Sequence, residues 1–161
     1  MAITQQVRLY HDVGYIGQIA APLTAVNRVS KINTQTDVLP FGTAVVRDGN
    51  DGIKAWGASS TAPDFFGILV RELHGVTPEG EAFGLRPQQI GGVLTFGKIY
   101  VKAGEAASAG DPVFVGTGTD VVGKFMKQAG ATTTLAVKVD AVWCNDTEKD
   151  AIGVIALKIG G

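Results

Sequence analysis

The chain has 161 residues, among them 22 glycines, and only 18% of its residues are charged. This length suits a single domain with a hydrophobic core. Because 14 basic and 15 acidic side chains give a net charge of −1, no strong field directs the chain toward nucleic acid or an anionic membrane. Apolar runs are too short to span a bilayer, and no secretory signal is expected. The single cysteine, Cys144, excludes an internal disulfide and indicates a reducing cytoplasm as the place of synthesis.

Residues 1–36 differ in pattern from the rest and are predicted to form an extended N-terminal arm. Residues 7–10 have the composition of one short strand, but Gly14, Gly17 and Pro22 interrupt any longer element. Such a segment cannot form a stable element alone and needs a surface to lie on. Two interpretations stay open: a strap that covers the domain's own core, or an arm that reaches a neighbouring subunit.

Residues 37–161 are predicted to form a single compact, mainly antiparallel β-sandwich or barrel-like domain, so that the fold class is all-β. Apolar and polar residues alternate around residues 98–102, which is typical of a strand with one buried face. The Asp- and Gly-rich loop at residues 48–52 predicts a hairpin. No sustained apolar stripe of helical period is present, so long helices are not expected. Residues 74–92 lack a clear period and are predicted to form an exposed excursion loop.

The two stretches 40–56 and 108–125 share one order of features: a small-residue turn, a β-branched run, a Gly- and Asp-rich loop and a second apolar run. Each is later followed by an apolar strand that contains a glycine. We interpret them as two related hairpin units, and either an internal duplication or the small set of turn residues available to hairpins accounts for the likeness. A solenoid is not indicated, because a repeat array needs at least three units.

No group of residues in the sequence indicates an enzyme active site, a cofactor site or a metal site. Residues 92–98 and 118–124 both fit G-x-x-x-x-G-K, but neither is followed by Ser or Thr and neither leads into a predicted helix. His11 and His74 are far apart, and no His or Cys cluster has zinc spacing. Cys144 lacks an evident base beside it and is more typical of a partly buried thiol.

Several motifs together resemble one known family. They are the Gly-x-x-Gly-Gln-hydrophobic element at residues 14–20, the Asn-Arg-Val at 27–29, the Leu-Pro-Phe-Gly-Thr-Ala-Val strand at 39–45, and the later runs at 98–101 and 109–115. In this order they are similar to the structural cement proteins of tailed bacteriophage heads. The likeness covers most of the chain, while residues 74–92 and 116–130 match poorly.

The resemblance implies a structural virion protein that decorates the outer surface of the assembled head, binds the major capsid protein and bridges neighbouring coat subunits. It implies a homo-oligomer, a trimer or alternatively a dimer, with no cofactor, metal, nucleic-acid or membrane partner. The expected capsid-contact residues lie in the arm: Val7, Arg8, Leu9, Tyr10, Tyr15, Ile16, Ile19, Leu23, Val26 and Arg28.

The alternative function is a small β-barrel module of a phage tail or baseplate that binds carbohydrate. This role requires exposed aromatic side chains flanked by amide and acid groups. Trp56 and Trp143 are the tryptophan candidates for it, and either could equally be a core residue.

Overall fold

A computed structural model describes residues 14–20, 26–72, 83–130 and 135–158, and within these residues the all-β prediction is confirmed. Eleven strands are present there, with one short 3-10 helix at Ala62–Asp64. The strands are β1 Asn27–Asn33, β2 Leu39–Pro40, β3 Ala44–Asp48, β4 Gly52–Ala55, β5 Phe65–Leu69, β6 Gly84–Leu85, β7 Ile90–Lys102, β8 Pro112–Gly116, β9 Phe125–Met126, β10 Ala136–Trp143 and β11 Ile152–Lys158. No helix in this described part is long and apolar enough to cross a membrane.

Five strands close into a ring in the order β1, β4, β3, β5 and β7. The ring closes because β1 pairs on one side with β4, in parallel, and on the other with the first half of β7, antiparallel. Ile32 of β1 makes both connections, opposite Gly52 and opposite Ile90. A closed ring leaves no free strand edge. β1 belongs to the segment 1–36 that the sequence predicts as an arm, and here it is a paired strand of the barrel.

The second half of β7 belongs to a second group of strands, in the order β7, β11, β10, β8 and β9. β11 runs antiparallel to β7 from Ile152 opposite Lys102 to Lys158 opposite Phe96. Immediately after β7, Ala103 forms a bridge with Phe125 of β9. This contact brings the last strand of the group back to the first. β7 is therefore the strand that the two groups share.

The core consists of two clusters of buried side chains, which lie on opposite faces of β5 and β7. Along β7, Val93 packs in the smaller cluster and its neighbour Leu94 in the larger one, and both are fully buried. In β5, Leu69 and Ile68 divide in the same way. Strands buried on both faces read as continuous apolar runs, which explains why β5 lacks alternation. The larger cluster also contains Trp143, which is 1% exposed.

Most of the predicted strand patterns are present. The loop at residues 48–52 joins β3 and β4 as a hairpin. Ile99 and Val101 are buried between the exposed Lys98 and Lys102, as the alternation predicts. In the stretch 108–125, the second apolar run begins in a turn at residues 121–122, and the strand that pairs with β8 comes only at Phe125–Met126.

The predicted excursion at 74–92 is described only from residue 83 onward. Within it, Gly84–Leu85 pairs with Leu39–Pro40 as a separate two-stranded sheet, and β7 begins at Ile90. Leu85 is fully buried in the smaller core cluster. The described end of this stretch is thus anchored to the barrel.

Candidate interaction surface

The described residues of the predicted arm begin with a tight turn. Gln18 N donates a hydrogen bond to Tyr15 O at 2.9 Å, and Tyr15 N donates to Gln18 Oε1 at 3.0 Å. Beyond the turn the segment lies along β7: Ala20 N donates to Lys98 O at 2.8 Å, and Gly17 N to Tyr100 O at 2.7 Å. Residues 15–20 are therefore fixed to the domain by backbone hydrogen bonds.

Two glycines make this attachment possible. Gly17 and Gly42 both have left-handed backbone conformations, with φ of +82° and +74°. A Cβ placed on Gly17 would lie 2.8 Å from Gly42 N, and one on Gly42 would lie 2.4 Å from Ile16 Cγ2. The two chain segments thus approach more closely than any side chain allows. Their contact sets the position of Tyr15 and Ile16.

Tyr15 belongs to an exposed cluster that we call the Arg71 patch, consisting of Tyr15, Arg71 and Phe83. The guanidinium carbon of Arg71 lies 4.5 Å from the centre of the Tyr15 ring and 4.7 Å from the centre of the Phe83 ring. Phe83 also packs edge-on against Phe41, with ring centres 5.1 Å apart. Tyr15 is 58% exposed and Phe83 43% exposed, whereas Phe41 is buried. The patch therefore presents two exposed aromatic rings and a half-buried cation on a buried support.

The other predicted contact residues lie in different environments. Ile19 and Val26 are half-buried and pack against the larger core cluster. Ile16 lines an apolar groove of about 400 Å³ together with Phe41. Arg28 forms an ion pair with Glu72. The remaining predicted residues lie outside the described part of the chain: Val7, Arg8, Leu9, Tyr10 and Leu23.

A second, more polar depression of about 910 Å³ lies beside β1 and β3. Its lining includes Lys31, Arg47 and Lys54. The guanidinium carbon of Arg47 lies 4.5 Å from the centre of the Phe66 ring, but this ring is buried. The depression thus offers positive charge with little exposed aromatic surface.

Sequence reasoning missed Arg71 and Phe83 as surface residues. The two rings that contact Arg71 come from positions 15 and 83, so the sequence around Arg71 does not indicate the cluster. The Gly at position 17 is the signal that predicts a close approach of the arm, but it does not indicate which residues the approach brings together.

The sequence features considered above for metal, nucleotide and thiol chemistry are found in the following places. No group of three or more His, Cys, Asp or Glu side chains there is arranged to hold a metal ion. Residues 92–98 lie entirely within β7, and residues 118–124 lie in a turn region, so neither glycine-rich fragment leads into a helix. Cys144 is a half-buried free thiol.

Both tryptophans are core residues. Trp56 is 4% exposed and its indole N–H donates to Gly116 O at 3.0 Å. Trp143 is 1% exposed and its indole N–H donates to Met126 O at 3.4 Å. Neither ring can stack on a sugar, so the tryptophan platform of the carbohydrate-binding alternative is absent.

Comparison with known proteins gives a match to one family over almost the whole chain. The family is described as "Structural cement protein (E217 gp24/Pam3 gp6)", and its model matches residues 3–160. Among solved structures, a chain of "The capsid of Myoviridae Phage XM1" is similar, with a TM-score of 0.68, 26% sequence identity and coverage of 98% of each chain.

A chain of "The crystal structure of head fiber gp8.5 N base in bacteriophage phi29" has a TM-score of 0.42 and 11% identity, over 83% of this chain and 94% of that one. A search of curated proteins finds no match. The family match spans far more than half of the sequence, so the chain belongs to the structural cement protein family.

Proposed function

We propose that this protein is a capsid decoration protein, which binds the outer surface of an assembled phage head and bridges neighbouring major capsid subunits. The observation that carries the proposal is the family match over residues 3–160. The similarity in fold and length to a chain of a phage capsid structure supports it. The proposed role is structural rather than enzymatic, and the proposed location is the virion.

Bridging stabilises a shell through multivalency. A decoration protein that touches two or more coat subunits gains a high effective concentration for each contact after the first. Because it binds only the assembled lattice, it also raises the stability of that lattice by mass action. We propose a homotrimer, with a dimer as the alternative, because closed symmetric oligomers match the local symmetry axes of a capsid surface.

The proposed coat-contact region is the N-terminal segment from Val7 to Arg28. Within its described part, Tyr15 is the most exposed large apolar side chain. Its position is fixed by the turn at residues 15–18 and by the contact between Gly17 and Gly42. A contact that is fixed before binding loses little conformational entropy when the partner arrives.

The direct test uses heads assembled without this protein. Purified protein is mixed with these heads, and bound protein is measured by co-sedimentation, with unassembled coat protein as the control. We expect saturable binding to assembled heads only, and a higher temperature of head disruption when the sites are filled.

Electron microscopy of the decorated heads then tests bridging. Density for each decoration protein should touch at least two coat subunits on the outer surface. Density inside the shell, or a protein that touches one coat subunit only, would contradict the bridging role even if binding is tight.

A further inference from the structure

We propose that the Arg71 patch is the docking site for an acidic segment of the coat protein, in which an Asp or Glu carboxylate binds the guanidinium of Arg71 while Tyr15 and Phe83 cover the segment's apolar parts. This inference rests on the proposed function and deepens it, because it names the contacting residues and the chemistry of the partner.

The first argument is charge. Arg71 lies over two aromatic rings, and a guanidinium that stacks on rings keeps the N–H groups at its edge as donors. Within the described residues no carboxylate forms an ion pair with Arg71, whereas Arg28 has Glu72. A planar cation with available donors fits a carboxylate, which accepts two parallel hydrogen bonds from it.

The second argument is pre-organisation. Phe83 rests edge-on against the buried Phe41, and Tyr15 is held by the turn at residues 15–18. The two rings in turn restrict the long side chain of Arg71. Binding therefore costs less side-chain entropy than it would for a free surface arginine.

The third argument is composition. Tyr and Arg are enriched among the residues that dominate binding energy at protein interfaces, and aromatic residues in general are enriched there. Here two half-exposed rings surround one cation, and one of the rings, Tyr15, lies within the segment that the proposed function assigns to the coat. The second depression lacks this combination, since the ring beneath Arg47 is buried.

Arg47 therefore provides a matched control. Both arginines stack on an aromatic ring at 4.5 Å, and both carry one positive charge. In the antiparallel pair of β3 and β5, Ala44 lies opposite Ile68, so Arg47 and Arg71 extend toward opposite ends of the pair. Along the strand direction, Arg47 and Arg71 are about six residue positions apart, which is a distance of roughly 20 Å at the usual rise per strand residue.

The experiment compares Arg71→Ala, Arg71→Lys and Arg47→Ala in co-sedimentation with undecorated heads at several salt concentrations. We expect Arg71→Ala to weaken binding at least about tenfold, which corresponds to about 1.4 kcal/mol per site. Arg71→Lys should fall between it and the unsubstituted protein, since lysine keeps the charge and loses the planar donor pair. Arg47→Ala should stay within about twofold. The Arg71→Ala variant should also show a weaker dependence on salt.

Circular dichroism and thermal melting confirm that each variant is folded, and light scattering gives the oligomeric mass. Equal binding by Arg71→Ala and the unsubstituted protein would overturn the inference. So would an equal loss in Arg47→Ala, because the effect would then be one of overall charge. A changed oligomeric mass in Arg71→Ala would place the patch between copies of this chain and overturn it as well. If the unsubstituted protein fails to bind heads at all, the proposed function fails instead.

Discussion

Replacing Gly17 by Ala should destabilise the protein through the contact between residues 14–20 and the barrel. Gly17 has a φ of +82°, and a Cβ there would meet Gly42 N at 2.8 Å, Arg71 N at 3.1 Å and Phe41 Cβ at 3.1 Å. Two of these atoms are backbone atoms, which cannot rotate away. The segment must therefore move, and this strains the 2.7 Å hydrogen bonds that join Gly17 to Tyr100 O and to Arg71 N.

The magnitude follows from two separate costs. An L-residue in the left-handed region costs about 1–2 kcal/mol, and two weakened backbone hydrogen bonds add about 0.5–1.5 kcal/mol each. We expect the free energy of unfolding to fall by about 2–5 kcal/mol in Gly17→Ala, and the melting temperature by roughly 5–15 °C for a chain of this size.

Gly49→Ala is the matched control. Gly49 has a φ of +71° in the β3–β4 hairpin, and a Cβ there would have nothing within 4 Å. This variant should show the conformational cost alone, about 1–2 kcal/mol. Urea denaturation gives both free energies, and hydrogen exchange at the Tyr100 amide, which donates to Gln18 O, reports local opening. Equal destabilisation by the two variants would refute the argument that residues 14–20 are an integral part of the fold.

Three further predictions concern the folded domain. The two buried tryptophans should resist quenching by iodide in the native state, and unfolding should shift their emission to longer wavelength. The pKa of Asp48 is lowered below its ordinary 3.8, first by a hydrogen bond from the Thr34 hydroxyl and then by Lys54. The stability that this carboxylate adds is therefore present above pH 3.8 and is lost as the pH falls through the folded pKa. Its titration by NMR should have a midpoint below 3.8, and this midpoint should rise in Thr34→Val. Because β7 belongs to both strand groups, calorimetry should show one unfolding transition, and two resolved transitions would contradict this.

Much of the fold follows from period-two alternation and turn chemistry. The β7 segment around Ile99 and the hairpin at residues 48–52 each carry a strong local signal, and both are present. β1 carries a weak one, because its two apolar residues, Val29 and Ile32, are only half-buried and lie three positions apart among polar neighbours. What makes residues 27–33 a strand is pairing with β4 and β7, and a non-local pairing leaves little trace in the local pattern.

The surface site could not be assembled from the sequence for the same reason. Tyr15 was predicted as a contact residue and is exposed, but its cluster with Arg71 and Phe83 depends on where the turn after residue 14 meets the end of β5. Ile19 and Val26 have the apolar character expected of a contact, yet they pack on the protein's own core. An apolar side chain in an irregular segment suits either environment, and only the path of the backbone decides between them.

The attachment of the N-terminal segment to β7 determines which part of the domain would carry load if Tyr15 contacts a coat subunit, as proposed above. On one side of β7, Lys98 and Tyr100 form backbone hydrogen bonds with residues 17–20. On the other side the same two residues pair with β11, opposite Ala156 and Val154. A partner bound at Tyr15 would therefore pull on β7, the strand that the two groups share, through the backbone hydrogen bonds of residues 17–20. β7 is paired along its length and belongs to both strand groups, so a contact placed at this end of the molecule acts on a shared strand of the sheet rather than on a loosely tethered arm.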